Sequence, residues 1–162
     1  YASEKLWTPM GAEADASWAL DGNGQEMGYC CFSATLRDYA RLGLMLARDG
    51  AGPDGKPIIP KDWVIEATSV APDSYLAPGK TGAFLGYGYQ TWIIPGRRRM
   101  FALQGVFGQS IRVDPASKVV LVHTAVRASA SNNAEARELN ALWYGLVQQL
   151  GGANVRPPPP AK

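Results

Sequence analysis

The sequence predicts an α+β fold, an antiparallel sheet with packed helices. Three observations predict it. From about 87 to 126 the apolar residues follow a period of two, broken by turn signals. Two segments, starting at Ser33 and at Glu135, carry apolar residues at helical spacing. Hydrophobic residues make up 46% of the 162, enough for a sizeable core and too many for a globally disordered chain.

Taken in order, Tyr1 to Trp7 reads as the tail of a helix, stopped by Pro9 and Gly11. A chain that starts mid-helix, without an initiator methionine, reads as cut from something longer. Residues 12–32 show no clean period and are expected to form an irregular crossing loop around the turn-rich Asp21-Gly22-Asn23-Gly24. The clearest helix follows, capped by Ser33 or Thr35. Leu36, Tyr39, Ala40, Leu42, Gly43 and Leu46 form its apolar face, and Arg37, Asp38, Arg41 and Arg48 the other. Asp49-Gly50 and Gly52 end it. Gly43 in its interior costs about 1 kcal/mol relative to Ala, which points to close packing there.

Asp54-Gly55 marks a tight turn between short extended pieces. Pro60 opens a second helix over 61–68, with Trp63 and Val64 facing inward. Residues 69–83, rich in Ser, Thr, Pro and Gly, are a loop. Strands are expected at about 87–94, 99–106, 109–114 and 119–126, with turns at Pro95-Gly96 and Asp114-Pro115 and with Arg97 and Arg98 at a wet tip. The run Val119-Val120-Leu121-Val122 predicts an interior strand covered on both faces. The last helix, Glu135 to Leu150, presents Leu139, Leu142, Trp143, Leu146, Val147 and Leu150 on one side and stops at Gly151-Gly152. Pro157 to Pro160 lie in an extended tail. Only this last helix is an obvious long cover for the sheet.

Charge and polar composition narrow the function. Lys and Arg total 16 against 14 Asp and Glu, so no strong field exists for nucleic acid or anionic lipid. No apolar run reaches the roughly 18 residues of a membrane span. One histidine, His123, and one adjacent pair, Cys30 and Cys31, do not make a structural zinc site. Bridging neighbouring cysteines strains standard disulfide geometry, so reduced, buried thiols are expected. His123 reads as a core or edge residue of its strand, with no Ser or Cys obviously paired to it.

G-x-S-x-G, a dinucleotide fingerprint and a P-loop are all missing from the sequence. Lys80-Thr81-Gly82 spells the K-T-G of active-site serine enzymes, but it follows Pro78-Gly79 in a loop, whereas that chemistry needs a strand edging a pocket. The stronger candidate is Gln104-Gly105-Val106-Phe107-Gly108-Gln109, which joins two expected strands. Two glycines three apart permit close backbone approach, and exposed N–H groups there could stabilise an oxyanion. A tight hairpin with a bulge and no ligand is the other reading.

Four segments carry a resemblance. Glu4 to Gly11 resembles the "kLWxPLGM" segment of serine hydrolases related to class C beta-lactamases. Ser33 to Gly43 resembles their "ATxRDxARfG" helix, and Gly86 to Trp92 their "YGYxxW". Gly105-Val106-Phe107-Gly108-Gln109, with Val113-Asp114-Pro115, resembles the strand turn of the esterase and 6-aminohexanoate-dimer hydrolase branches.

The resemblance implies that residues 1–152 are the C-terminal portion of a beta-lactamase/transpeptidase-like fold, with a Pro-rich tail at 153–162. The family's S-x-x-K and its Y-x-N or Y-x-S precede the "kLWxPLGM" segment, and neither S-x-x-K nor Y-x-N occurs here. The serine nucleophile, the lysine and the tyrosine are therefore expected from an N-terminal portion of the same enzyme, and this chain alone is expected to be inactive. The K-T-G equivalent falls on Leu103-Gln104-Gly105, with Leu103 at the lysine position, a departure from true lactamases that favours neutral ester or amide substrates.

The resemblance further implies that Val106 N–H, just after Gly105, is one oxyanion donor. Leu103, Gln104, Phe107 and Gln109 contact substrate or brace the pocket. Tyr87 and Tyr89 pack, or one of them reaches substrate. The implied reaction is acyl transfer through an acyl-enzyme, with no metal or organic cofactor. The alternative is a non-catalytic, penicillin-recognising-like or protein-binding module. Bacterial cytoplasm and periplasm both remain open, as do substrate identity and oligomeric state.

Overall fold

The computed structural model describes residues 1–80, 82–130 and 133–150. The chain opens with a π-helical turn, Ser3–Trp7. Within 12–32 the structure departs from a plain loop. Strand β1 (Ser17–Trp18) pairs antiparallel with β2 (Phe32–Ser33), and Leu20 bridges Glu26. The ring of Phe32 meets Trp7, Trp18 and Tyr39 edge-on, so aromatic packing replaces hydrophobic periodicity in ordering this segment. Cys30 and Cys31 form a disulfide. Cys30 is half-buried and Cys31 exposed, which corrects the expectation of reduced, buried thiols. Cys31 takes a left-handed backbone, φ +70°, which brings the two side chains together across their peptide bond.

Helix α1 (Leu36–Ala47) is capped by Thr35, whose hydroxyl accepts from Asp38 N–H. Its closing turn runs through left-handed Asp49 and Gly50, and Gly50 N–H reaches back to Met45 O at 3.0 Å. Asp38 is not on the wet face as expected. It is fully buried, accepting from Glu13 N–H (2.9 Å), Ala14 N–H (3.3 Å), Thr35 Oγ1 (2.7 Å) and Arg41 (3.1 Å). A buried carboxylate is tolerated when its lone pairs are filled in this way. Leu36, assigned to the apolar face, is 50% exposed.

Helix α2 spans Lys61–Ala67. Val64 is buried as expected, but Trp63 is 53% exposed and stacks on Tyr89 at the surface. The single strand expected over 87–94 is two, β3 (Gly86–Tyr87) and β4 (Trp92–Ile93). Between them the backbone is pulled onto α2: Tyr89 N–H donates to Ala67 O, and so does Thr91 Oγ1.

The remaining strands are β5 (Phe101–Gln104), β6 (Ser110–Asp114) and β7 (Val119–His123). The antiparallel sheet runs in chain order β3-β4-β5-β6-β7. Among the described residues β7 pairs with β6 alone and ends this order, and both its faces are covered, as expected. Helix α1 packs on β6 and β7 from one side and α3 (Asn133–Leu150) on β7 from the other. The sheet thus has two helical covers where one was expected.

Gly43 is where α1 meets the sheet. A Cβ there would stand 2.5 Å from Val120 Cγ1 and 3.0 Å from Ile111 Cγ2. The α1-side core gathers Ala47, Ile93, Phe101, Ile111 and Val113. The α3-side core gathers Ile94, Met100, Ala102, Trp143, Tyr144 and Val147. Leu142 and Leu150, expected on the packed side of α3, are exposed. Arg98 is not at a wet tip but pairs with the fully buried Asp114. Gly151-Gly152 and the tail at 153–162 lie outside the described residues, as does Thr81 of the K-T-G triplet; Lys80 is exposed in a loop.

Candidate active site

The site grows from the end of β5. Gln104 pairs with Ser110, the last pair of the β5–β6 ladder. Gly105 N–H then closes the hairpin onto Gln109 O at 2.9 Å, and Gly108 N–H returns to Gly105 O at 3.2 Å. The strand ends at Gln104, and Val106 is the second residue of the Gly105–Gly108 turn, a position whose N–H the turn's own hydrogen bond leaves unused. Among the described residues the Val106 N–H meets no acceptor, and the residue is 67% exposed. The pairing of β4 with β5 ends at Trp92–Ala102. Among the described residues no strand pairs with the outer edge of β5 beyond Ala102.

Four contacts brace this turn. Gln109 Oε1 accepts from Phe107 N–H (3.2 Å), while its Nε2 donates to Ala125 O (3.0 Å). Arg127 N–H donates to Phe107 O (3.0 Å). His123 Nδ1 lies 3.0 Å from Gly108 O and donates to it. The Arg127 side chain fills the space under left-handed Gly108, where a Cβ would stand 2.7 Å from Arg127 Cδ, and its guanidinium pairs with Glu135 at 2.6 Å. The turn is a platform held from β7 and the segment after it, and it carries the Val106 N–H, which meets no acceptor among the described residues. Preorganised donors of this kind stabilise developing charge without reorganisation.

The expected site residues divide accordingly. Gly105, Val106 and Phe107 form the turn. Gln109 braces it. Gln104 is exposed on the α3 face of β5, and Leu103 points to the opposite face, toward α1 and α2. Leu103 there lines an apolar cavity with α2 and the Tyr89–Thr91 turn. Tyr87 stacks edge-on against Trp92, and Tyr89 packs on Trp63.

His123 and Arg127 were not singled out for the site, because their partners appear only once the hairpin forms. Register also sets Ser110 directly across from His123. Among the described residues, however, Ser110 Oγ makes no hydrogen bond, and His123 Nδ1 is committed to Gly108 O. No serine–histidine pair is assembled here.

Arg112, buried on β6 behind this turn, donates to Asn140 Oδ1 at 2.7 Å. Burial lowers its pKa to about 10. Burial also pushes Tyr144 up to about 12. Both support the sheet and lie outside the turn.

No family model matches the chain. It is 27% identical over 154 residues to 6-aminohexanoate-dimer hydrolase of Paenarthrobacter ureafaciens, covering 93% of this chain and 38% of that protein. A solved Bacillus anthracis structure assigned as a 6-aminohexanoate-dimer hydrolase superposes with a TM-score of 0.79 at 27% identity, over 94% of this chain and 38% of the other. The chain is thus a distant homologue of hydrolases related to the beta-lactamases, and its α+β arrangement fits that fold. It spans about 38% of the length of these relatives. Among the described residues no helix is long and apolar enough to cross a membrane.

Proposed function

We propose that this chain forms one wall of the active site of a serine hydrolase that cleaves ester or amide bonds through an acyl-enzyme. Val106 N–H is one of two oxyanion donors. The serine, its lysine and a tyrosine come from a part of the longer protein outside this chain, and the second donor is the amide of that serine. The observation that carries the reading is the Val106 N–H, exposed and without an acceptor among the described residues, on a turn braced by Gln109, His123 and Arg127.

In this mechanism the serine attacks the substrate carbonyl, and the oxyanion settles between the two N–H groups. The acyl-enzyme forms as the alcohol or amine leaves, and water then releases the acid. Leu103 at the lysine position leaves no cation to hold a carboxylate on that side, which favours uncharged ester or amide groups. The dimer named for the relatives offers an uncharged amide bond between a terminal amine and a terminal carboxylate.

The test uses the full-length protein with p-nitrophenyl acetate, a linear amide dimer and a fluorophosphonate probe. Time-dependent labelling of a serine with loss of turnover supports the reading. A protein that neither labels nor hydrolyses any of these substrates overturns it in favour of a non-catalytic module.

A further inference from the structure

We propose that the Cys30–Cys31 bridge is a thiol–disulfide exchange site, and that its reduction by a dithiol releases the small β1–β2 sheet. It does so whether or not the protein is a hydrolase. The two cysteines are neighbours in the chain, so their bridge encloses no loop. Confinement of the unfolded chain, the usual way a disulfide stabilises, is therefore slight here. What the bridge fixes is local. It holds the peptide unit between the two residues, and Cys31 there takes φ +70°, a region that residues other than Gly, Asn and Asp rarely enter. Once reduced, Cys31 is free to return to negative φ.

The backbone around this peptide unit carries the sheet. Cys31 O accepts from Ala19 N–H at 3.1 Å, and Cys30 N–H donates to Met27 O at 3.0 Å. Trp18 Nε1 donates to Met27 O at 3.0 Å and to Cys30 O at 2.9 Å. The next residue, Phe32, pairs with Trp18 in the β1–β2 ladder. Its ring meets Trp7, Trp18 and Tyr39, and its carbonyl accepts from Tyr39 OH at 2.7 Å. Rotation about φ of Cys31 turns the Cys31 carbonyl and Phe32 away from the Cys30 carbonyl. The bonds to Ala19 and to Trp18 then no longer fit together. The Asp38 clamp grips Glu13 and Ala14 ahead of β1 through bonds of its own, so α1 stays in place.

The pair is within reach of a reductant. Cys31 is exposed, Cys30 is half-buried, and Tyr29 beside them is exposed. A thiolate of the dithiol attacks the Cys31 sulfur, the bond between the cysteines breaks, and Cys30 leaves as a thiolate that takes up a proton. The second thiol of the reductant attacks the mixed disulfide and frees Cys31. The dithiol has then given two electrons and two protons to the pair and become a disulfide. Exchange with a disulfide runs the same steps backwards and restores the bridge.

The experiment is hydrogen exchange read by mass spectrometry on the full-length protein, oxidised and after dithiothreitol, with thiols counted by iodoacetamide. The oxidised protein should take no label at Cys30 or Cys31, and the reduced protein two. On reduction the amides of residues 17–33 should exchange faster by about tenfold or more, while those of α1, β5, β6 and β7 keep their rates. Glutathione disulfide should restore slow exchange. Cys31→Gly, which accepts positive φ without a bridge, should exchange slowly with or without dithiothreitol, and Cys31→Ser rapidly in both. Labelling before reduction, a bridge that resists dithiothreitol in the folded protein, or equal exchange of residues 17–33 in the two states of the parent protein overturns the proposal. So does a Cys31→Gly protein that exchanges as fast as Cys31→Ser.

Discussion

His123 Nδ1 lies 3.0 Å from the carbonyl oxygen of Gly108, fifteen residues earlier in the chain. This one bond ties β7 to the turn that presents Val106. Replacing His123 by Ala should lower kcat of the full-length protein between about twofold and tenfold, the range of one ordinary hydrogen bond, with KM little changed. His123→Asn, which places a side-chain N–H near the position of Nδ1, should recover most of the loss. Equal kcat in all three proteins would show that the turn needs no such brace.

Gly105 has room for nothing larger than hydrogen. A Cβ there would collide with Gln109 Oε1 and stand 3.0 Å from Gln109 Cβ. Gly105→Ala should therefore displace the side chain that holds Phe107 N–H and Ala125 O, and shift the neighbouring Val106 donor. Loss of an oxyanion donor typically costs about 10²–10³ in kcat. Gln109→Ala should reproduce part of that loss, and the double substitution should fall short of the product of the two singles, because both act through one bracket. Full turnover in Gly105→Ala would mean that the oxyanion donor lies elsewhere.

Gly43 makes the corresponding prediction for stability. Val120 Cγ1 and Ile111 Cγ2 leave no space for a side chain between α1 and the sheet. Despite the better helix propensity of alanine, Gly43→Ala should destabilise, and Gly43→Val more so, by about 1–3 kcal/mol in urea or thermal unfolding. A stabilised Gly43→Ala would show that α1 stands off the sheet.

Asp38 predicts an acid limb. The Glu13 backbone N–H, with Thr35, the Ala14 N–H and Arg41, holds its carboxyl below the usual aspartate range against the opposing effect of burial. With the folded pKa lowered, the unfolded chain takes up the proton first as pH falls. The stabilisation is complete above the unfolded pKa of about 3.9 and is lost as pH drops through the folded one. Asp38→Asn should be less stable at neutral pH and flatter below pH 4. Unfolding curves collected between pH 2 and 7 decide it, and parallel curves for the two proteins would count against the buried clamp.

Tyr144 predicts the opposite limb. Burial raises its pKa to about 12, so the folded state keeps a proton that the unfolded chain loses near pH 10. Its contribution is complete below pH 10 and is lost as pH rises toward 12. Arg112, lowered to about 10, acts in the other direction over the same range, since the unfolded chain holds that proton longer. In Tyr144→Phe the alkaline decline should be shallower than in the parent by thermal unfolding. An unchanged decline would place its origin elsewhere.

The parts of the fold that were legible in the sequence are those fixed by local pattern. Helix α1 follows from its period, its Thr35 cap and its glycine stop. Strands β5, β6 and β7 follow from alternation and turn residues, and Gly43 announces its own close contact. What stayed hidden depends on partners distant in the chain. Asp38 sits at a helical position that periodicity assigns to water, and the backbone of Glu13 and Ala14, 25 and 24 residues earlier, pulls it inside. The break between β3 and β4 comes from Ala67 O, which takes two hydrogen bonds from that stretch. The candidate donor at Val106 came from motif resemblance; the bracing by His123, Ala125 and Arg127 has no local signature. The Cys30–Cys31 bridge was missed because geometry argues against it until the left-handed Cys31 is seen.

The two-stranded ribbon of β3 and β4 hangs on the backbone of its neighbours. Tyr87 N–H is held by Leu76 O, and Tyr89 N–H by Ala67 O. Ala67 ends α2 and Leu76 lies within the long connection between α2 and β3, while α1 packs on β6 and β7, α3 packs on β7, and Ile93 of β4 joins the α1-side core. Grafting a connection of different length into this place would therefore reshape the ribbon while leaving β6, β7 and the braced turn as they are. Exchange of that one connection is a route by which a lineage could retarget its chemistry without rebuilding its scaffold.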